Sequence, residues 1–200
     1  MRRLKIGITG GIGSGKSIIS KVFEGLGIPV FNADNVAKEL MQRDVALKSA
    51  LVKTFGPSTY NDHGELQRAY LAERVFSDPE QLRKLNAIVH PAAIQAAIEW
   101  AEKQTTPYSL KEAALLFESG SYRDLDATIL VTAPLPLRIS RVMQRDGLSH
   151  EQVFERVQRQ WSDEQKLPLA QYIIYNDDLQ PVLPQVWNIH QQLLQIAQNA

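Results

Sequence analysis

A short apolar run at Leu4–Thr9 opens the chain, and similar runs recur at Ile28–Phe31, Ala113–Phe117, Ala127–Val131 and Tyr172–Tyr175. Brief apolar stretches without polar alternation suit strands buried on both faces of a parallel sheet. Between them the period lengthens to that of helices. Ile18–Leu26 precedes Gly27, and in 182–197 the residues Val182, Val186, Ile189 and Leu193 line one face. The pattern predicts an open α/β fold, a five-stranded parallel sheet flanked by helices.

Two excursions interrupt the alternation. The interval from the second to the third run is about 80 residues, too long for a plain crossover. Its spacing predicts helices over 36–55, 66–76 and 79–89. A further helix starts after Pro91 and runs to Glu102, with Ala93, Ala96, Ala97 and Trp100 available for packing. Gly56-Pro57-Ser58 and Asn61-Asp62-His63-Gly64 are turns within it. Residues 36–112 thus form a helical insertion, read as acceptor binding or as scaffold packing. The second excursion, 137–168, begins near Pro134 and Pro136 and carries Arg138, Arg141 and Arg145. Ser149–Gln152 and Ser162–Gln165 read as capping boxes, so two short helices make a small lid. Residues 1–35, 113–136 and 169–200 remain as the core of a single domain spanning 1–200.

Composition narrows the class. Hydrophobic residues make up 44%, enough for a substantial core, and 22 Lys plus Arg balance 22 Asp plus Glu. That balance gives no electrostatic case for nucleic acid or anionic membranes as partners. Cysteine is absent, which removes disulfides and thiolate chemistry. No stretch approaches about 18 consecutive apolar residues, and Met1-Arg2-Arg3 leads straight into the first strand. A cytoplasmic enzyme, where ATP is supplied, is the expectation; oligomeric state stays open.

The chemistry begins at Gly10-Gly11-Ile12-Gly13-Ser14-Gly15-Lys16-Ser17, a phosphate-binding loop of Walker A type between strand and helix. Its glycines let backbone N–H groups close around phosphate oxygens. Lys16 would reach the β/γ-phosphates, and the Ser17 hydroxyl would ligate Mg²⁺. Asp34, after the second strand, is either a general base for an acceptor hydroxyl or a cap for a helix beginning near Val36. Glu118 follows the expected third strand directly. It suits metal support, acceptor binding or a plain strand-end carboxylate. Arg141 and Arg145 share a helical face and suit phosphate or adenine; the other reading is a solvated face paired with Asp146, Glu151 and Glu155. Arg156 is a weaker candidate of the same kind, and Arg159 reads as solvated. Arg68 and Arg74 suit a phosphorylated acceptor. His90 either donates to a sugar or phosphate oxygen or caps the helix before Pro91. The histidines show no metal-ligand spacing, so Mg²⁺ would arrive with the nucleotide.

Taken in order, these residues resemble the dephospho-coenzyme A kinase family, P-loop small-molecule kinases, over about 4–178. The resemblance is carried by Ile8 to Ser17, Asn32-Ala33-Asp34, Arg74-Val75-Phe76-Ser77-Asp78, Ile88-Val89-His90-Pro91 and Leu115-Leu116-Phe117-Glu118. It continues through Arg141, Met143 to Leu148, Arg156, Gln160 and Asn176. It implies the P-loop nucleoside triphosphate hydrolase fold, ATP as phosphoryl donor, Mg²⁺, and dephospho-CoA as the small-molecule acceptor. In the implied reaction the ribose 3′-hydroxyl is phosphorylated, giving CoA and ADP. Asp34 would be the base, Lys16 the phosphate-binding lysine, and Ser17 the metal ligand. Arg141 would contact the adenine side, Arg145 would act through the lid, and Asn176 would border the adenine. Arg74, His90 and Glu118 would lie on the acceptor side or in the central cleft. Departures from the family pattern are Asn32 for a usual Asp, Ala114 for Pro, and Arg138 for Gln. Trp161 and Gln171 stand where Met and Asp are frequent. The competing readings are a kinase for another small acceptor, such as a nucleoside monophosphate, and a nucleotide-dependent interaction protein. No Asn-Lys-x-Asp guanine pattern supports the latter.

Overall fold

The computed structural model describes residues 2–76 and 78–199. Ser77, part of one quoted segment, lies outside them. The chain forms two compact units: residues up to Asn32 together with those from Lys103 onward, and residues 33–102.

The first unit is built on β1 (Leu4–Thr9), β2 (Val30–Asn32), β3 (Tyr108–Glu112), β4 (Ala127–Thr132) and β5 (Tyr172–Tyr175). All pairings are parallel, in the order β2-β3-β1-β4-β5. Around the sheet run α1 (Lys16–Gly25), α6 (Leu135–Asp146), α7 (His150–Gln158), the single turn α8 (Asp163–Lys166) and α9 (Val182–Asn199). Ile6, Ile8, Leu110, Ile129, Val131 and Ile174 from the strands pack with Ile19 and Phe23 of α1 and Val186, Ile189 and Leu193 of α9. The helical stripe expected on α9 therefore faces the core. The two capping predictions hold in their geometry: the Gln152 side chain accepts from Ser149 N at 2.9 Å, and Gln165 from Ser162 N at 2.9 Å.

The third strand differs from expectation. It is Tyr108–Glu112, and the apolar run Ala113–Phe117 follows it as turns. Hydropathy misplaces the strand because β3 buries polar residues, Ser109 and Glu112 among them. Leu116 of the apolar run is buried for another reason: a Cβ on Gly7 of β1 would meet Leu116 Cδ2 at 2.6 Å, so the bare glycine leaves room for it. Phe117 packs edge-on against Tyr122, their centroids 5.2 Å apart. The shift also moves 108–112 out of the expected helical insertion and into the sheet. β2 likewise lies at 30–32, two residues later than the start expected.

A neutral polar pair lies in the core of the first unit. Tyr108 Oη and His190 Nδ1 are 2.6 Å apart in the interior, and burial pushes the His190 imidazole below its ordinary value near 6.5. Because the folded chain refuses a proton that the unfolded chain accepts, stability is complete above about pH 6.5 and falls as pH drops below it. We expect the Tm of the wild type to fall between pH 7 and 5. In His190→Gln, which keeps a partner for the tyrosine hydroxyl, thermal scans across that range should show a flatter dependence.

The second unit comprises α2 (Ala33–Arg43), α3 (Val45–Phe55), α4 (Arg68–Phe76) and α5 (Pro79–Glu102) around Leu47, Leu51, Phe55, Leu71, Val75 and Val89. The expected helix over 36–55 is two helices. Asp44 ends the first and caps the second, accepting from Leu47 N at 2.7 Å, a cap worth about 1 kcal/mol. Pro91 does not start a helix; it lies inside the 24-residue α5. Proline removes one helical hydrogen bond at that turn. Packing of α5 against α2, α3 and α4 outweighs that loss. No described helix is long and apolar enough to cross a membrane.

Candidate active site

The loop between β1 and α1 has the conformation its glycines permit. Gly13 and Gly15 hold φ of 79° and 89°, a region costly for residues with a Cβ. A Cβ on Gly10 would lie 2.3 Å from Val131 O, and one on Gly15 would lie 2.1 Å from Asn176 Nδ2. The loop backbone is thus pressed against β4 and the turn after β5. The Ser14 hydroxyl is buried without a hydrogen-bond partner among the described residues. Backbone N–H groups and the positive end of the α1 dipole gather at this point, as anion sites require.

Glu112, the last residue of β3, stands opposite Ile8 in register and reaches both functional side chains of the loop. Its Oε1 accepts from Ser17 Oγ at 2.7 Å and from Lys16 Nζ at 3.2 Å. Burial alone would raise this carboxyl, but the Lys16 charge and the hydrogen bonds from Ser17 and Lys16 bring it below the usual range. Glu112 is therefore the acid at the end of β3, the place in the strand expected for Glu118. The signal for it in the sequence is a carboxylate alternating with Tyr108 and Leu110; the apolar run that follows is the stronger hydropathy signal.

Glu118 sits in the turns beyond β3. Its Oε1 lies 3.0 Å from Lys166 Nζ, whose side chain is fully buried, and accepts from Trp161 N at 2.9 Å. This pair ties the 113–126 connection to the end of the arginine-bearing segment. Asn176 donates from Nδ2 to Ser14 O at 2.8 Å, while its own carbonyl accepts from Arg141 Nη1 at 2.9 Å. Arg141 also pairs with Asp178, so Arg141, Asn176 and the loop form one connected group. Arg145 is engaged elsewhere: it binds Asp146 through Nε and Nη2, and Arg156 lies 3.6 Å from the same carboxylate. Of the departures, Gln171 accepts from Thr128 N and Oγ1 at 2.8 and 3.0 Å at the start of β5.

Asp34, Arg74 and His90 belong to the helical unit. Asp34 is exposed in the first turn of α2. The helix begins at Ala33, so Asp34 does not occupy the position before a helix starting near Val36. Arg74 lies in the last turn of α4 with its guanidinium 4.0 Å from the Tyr70 ring centroid, and His90 is half-buried in α5 directly before Pro91.

The oxygen donors Ser17 and Glu112 suit a hard cation such as Mg²⁺. No cluster of three or more His, Cys, Asp or Glu able to hold a metal occurs among the described residues. The residues present fit an ion that arrives with phosphate oxygens and completes its shell with them and water.

Comparison with known proteins joins these observations. The family model described as dephospho-CoA kinase matches residues 4–181. A dephospho-CoA kinase from Salinibacter ruber is 42% identical over 175 residues, covering 86% of this chain and 88% of the relative. A crystal structure from Thermus thermophilus superposes with a TM-score of 0.83 at 35% identity, covering 97% of both chains. The dephospho-CoA kinase from Campylobacter jejuni gives 0.68 at 25% identity over 99% of both. The chain belongs to the dephospho-CoA kinase family, with its P-loop kinase fold.

Proposed function

We propose that this protein transfers the γ-phosphoryl group of ATP to the ribose 3′-hydroxyl of dephospho-CoA, releasing CoA and ADP. The observation that carries the reading is the gathering of Lys16 and Ser17 on Glu112 at a glycine-built helix N-terminus, in a chain of this family. The 3′-oxygen attacks the γ-phosphorus in line as the bond to the β–γ bridging oxygen breaks. Its proton passes to the Asp34 carboxylate. Lys16 and the backbone N–H groups of Gly11 to Ser17 bind the donor phosphates and meet the charge that moves onto the leaving oxygen. Ser17, oriented by Glu112, would hold Mg²⁺, which when bound supplies further charge compensation at the phosphates.

Arg141 and Asn176 border the adenine, and Arg145 acts through a lid formed by 137–168, exchanging Asp146 for phosphate oxygens. The helical insertion, residues 36–102, takes the acceptor, with Arg74, His90 and Glu118 on its side. Excluding water protects the phosphoryl group from hydrolysis. Product analysis with Mg²⁺, ATP and a panel of acceptors tests the reading. CoA and ADP should form from dephospho-CoA. Efficient phosphorylation of a nucleoside monophosphate, with none of dephospho-CoA, would overturn it.

A further inference from the structure

We infer that Arg138 is a positioning residue for the phosphate loop, acting as a buried ion pair with Asp163 to hold Ile12 in place. Arg138 stands where the family pattern more often has Gln, and it is only 5% exposed. Its Nε donates to Ile12 O at 3.1 Å, and its Nη1 lies 3.0 Å from Asp163 Oδ1. The other carboxylate oxygen of Asp163 accepts from the Thr132 hydroxyl at the end of β4. On the far side, Ile12 N donates to Gln160 Oε1 at 2.7 Å. Both backbone polar groups of Ile12 are therefore tied to the segment that runs from α6 to α8.

The glycines next to Ile12 accommodate the same residue, Gly11 its side chain and Gly13 its backbone. A Cβ on Gly11 would come 2.3 Å from Arg138 Nη2, and one on Gly13 would come 2.3 Å from Arg138 O. Peptide planarity turns this packing into an effect on the ligand. The Ile12 carbonyl and the Gly13 N–H belong to one rigid plane and point in opposite directions. Holding the carbonyl on Arg138 aims the Gly13 N–H away from Arg138, and fixes in advance a donor that would otherwise rotate with a glycine-rich loop. The ion pair has a second consequence. An unpaired Asp163 carboxylate beside the loop would repel a triphosphate, and the guanidinium neutralises it.

This inference rests on the loop binding the phosphoryl donor, so the test reads MgADP binding to the full chain by calorimetry, with dephospho-CoA binding measured separately. Arg138→Lys keeps the buried charge and the fold but not the two-pronged reach; its Kd for MgADP should rise about fivefold. Arg138→Ala, which also leaves Asp163 unbalanced, should raise it about tenfold or more. In R138Q/D163N a neutral amide replaces the cation and the carboxylate charge is removed, so the Kd should return to within about threefold of wild type. Dephospho-CoA binding should move less than about twofold in all three. A MgADP Kd within twofold of wild type in R138K, or a double variant no better than R138K, overturns the positioning role and leaves Arg138 a core ion pair. Absence of MgADP binding in the wild type overturns the donor-loop reading along with it.

Discussion

Replacing Asp34 by Asn is expected to lower kcat with ATP and dephospho-CoA by about 10²–10⁴-fold, the range for loss of a positioned general base. Asn matches Asp in size and still presents an oxygen at the start of α2, where Asp34 occupies the first turn. The stability term at that place is small. A carboxylate near a helix N-terminus contributes about 0.3–1 kcal/mol, which shifts a Tm by a few degrees and cannot account for a thousandfold loss of rate. The two effects therefore separate. Steady-state kinetics beside a thermal melt should show a folded D34N protein with near-normal KM for ATP and little turnover. Full turnover in that protein would remove Asp34 from the proton-transfer role.

Where residue type and local spacing determine the geometry, the sequence was sufficient. Gly13 and Gly15 hold positive φ, and Lys16 and Ser17 follow them onto α1, because the code for that turn is written in consecutive residues. The α9 stripe and the two capping boxes are local in the same sense. What escaped depended on burial or on distant partners. β3 carries Ser109 and Glu112 into the interior, so a hydropathy reading moved the strand to the apolar turns that cover Gly7. That displacement makes Glu118 the expected strand-end carboxylate where the strand in fact ends at Glu112. α5 continues through Pro91 because three neighbouring helices pack on it, a tertiary effect that propensity alone does not contain. In the sequence Arg138 is one arginine of the 137–168 segment and a departure from a family pattern, with nothing to name its partners. Its contact with Ile12 spans 126 residues and its pairing with Asp163 spans 25.

Lys16→Ala should reduce kcat/KM by about 10²–10³-fold, the scale observed when one preorganised donor is taken from developing negative charge. Glu112→Gln should also be costly, although Glu112 is not expected to touch the transferred group. Lys16 and Glu112 side chains are 14% and 5% exposed, so the pair sits largely out of water. Losing one partner strands the other charge, a penalty of about 3–5 kcal/mol for a fully buried pair and less where water reaches the ammonium. In E112Q the amide still fills the space and keeps one acceptor oxygen, but Lys16 loses its counter-charge and the Ser17 hydroxyl loses an ionised acceptor. Because both substitutions break one shared arrangement, their effects should not add. The double variant K16A/E112Q should be little worse than K16A alone, with a coupling of about 1 kcal/mol or more in a double-mutant cycle on kcat/KM. Strict additivity would mean that Glu112 acts independently of Lys16, and its contact with Ser17 would then carry its whole effect.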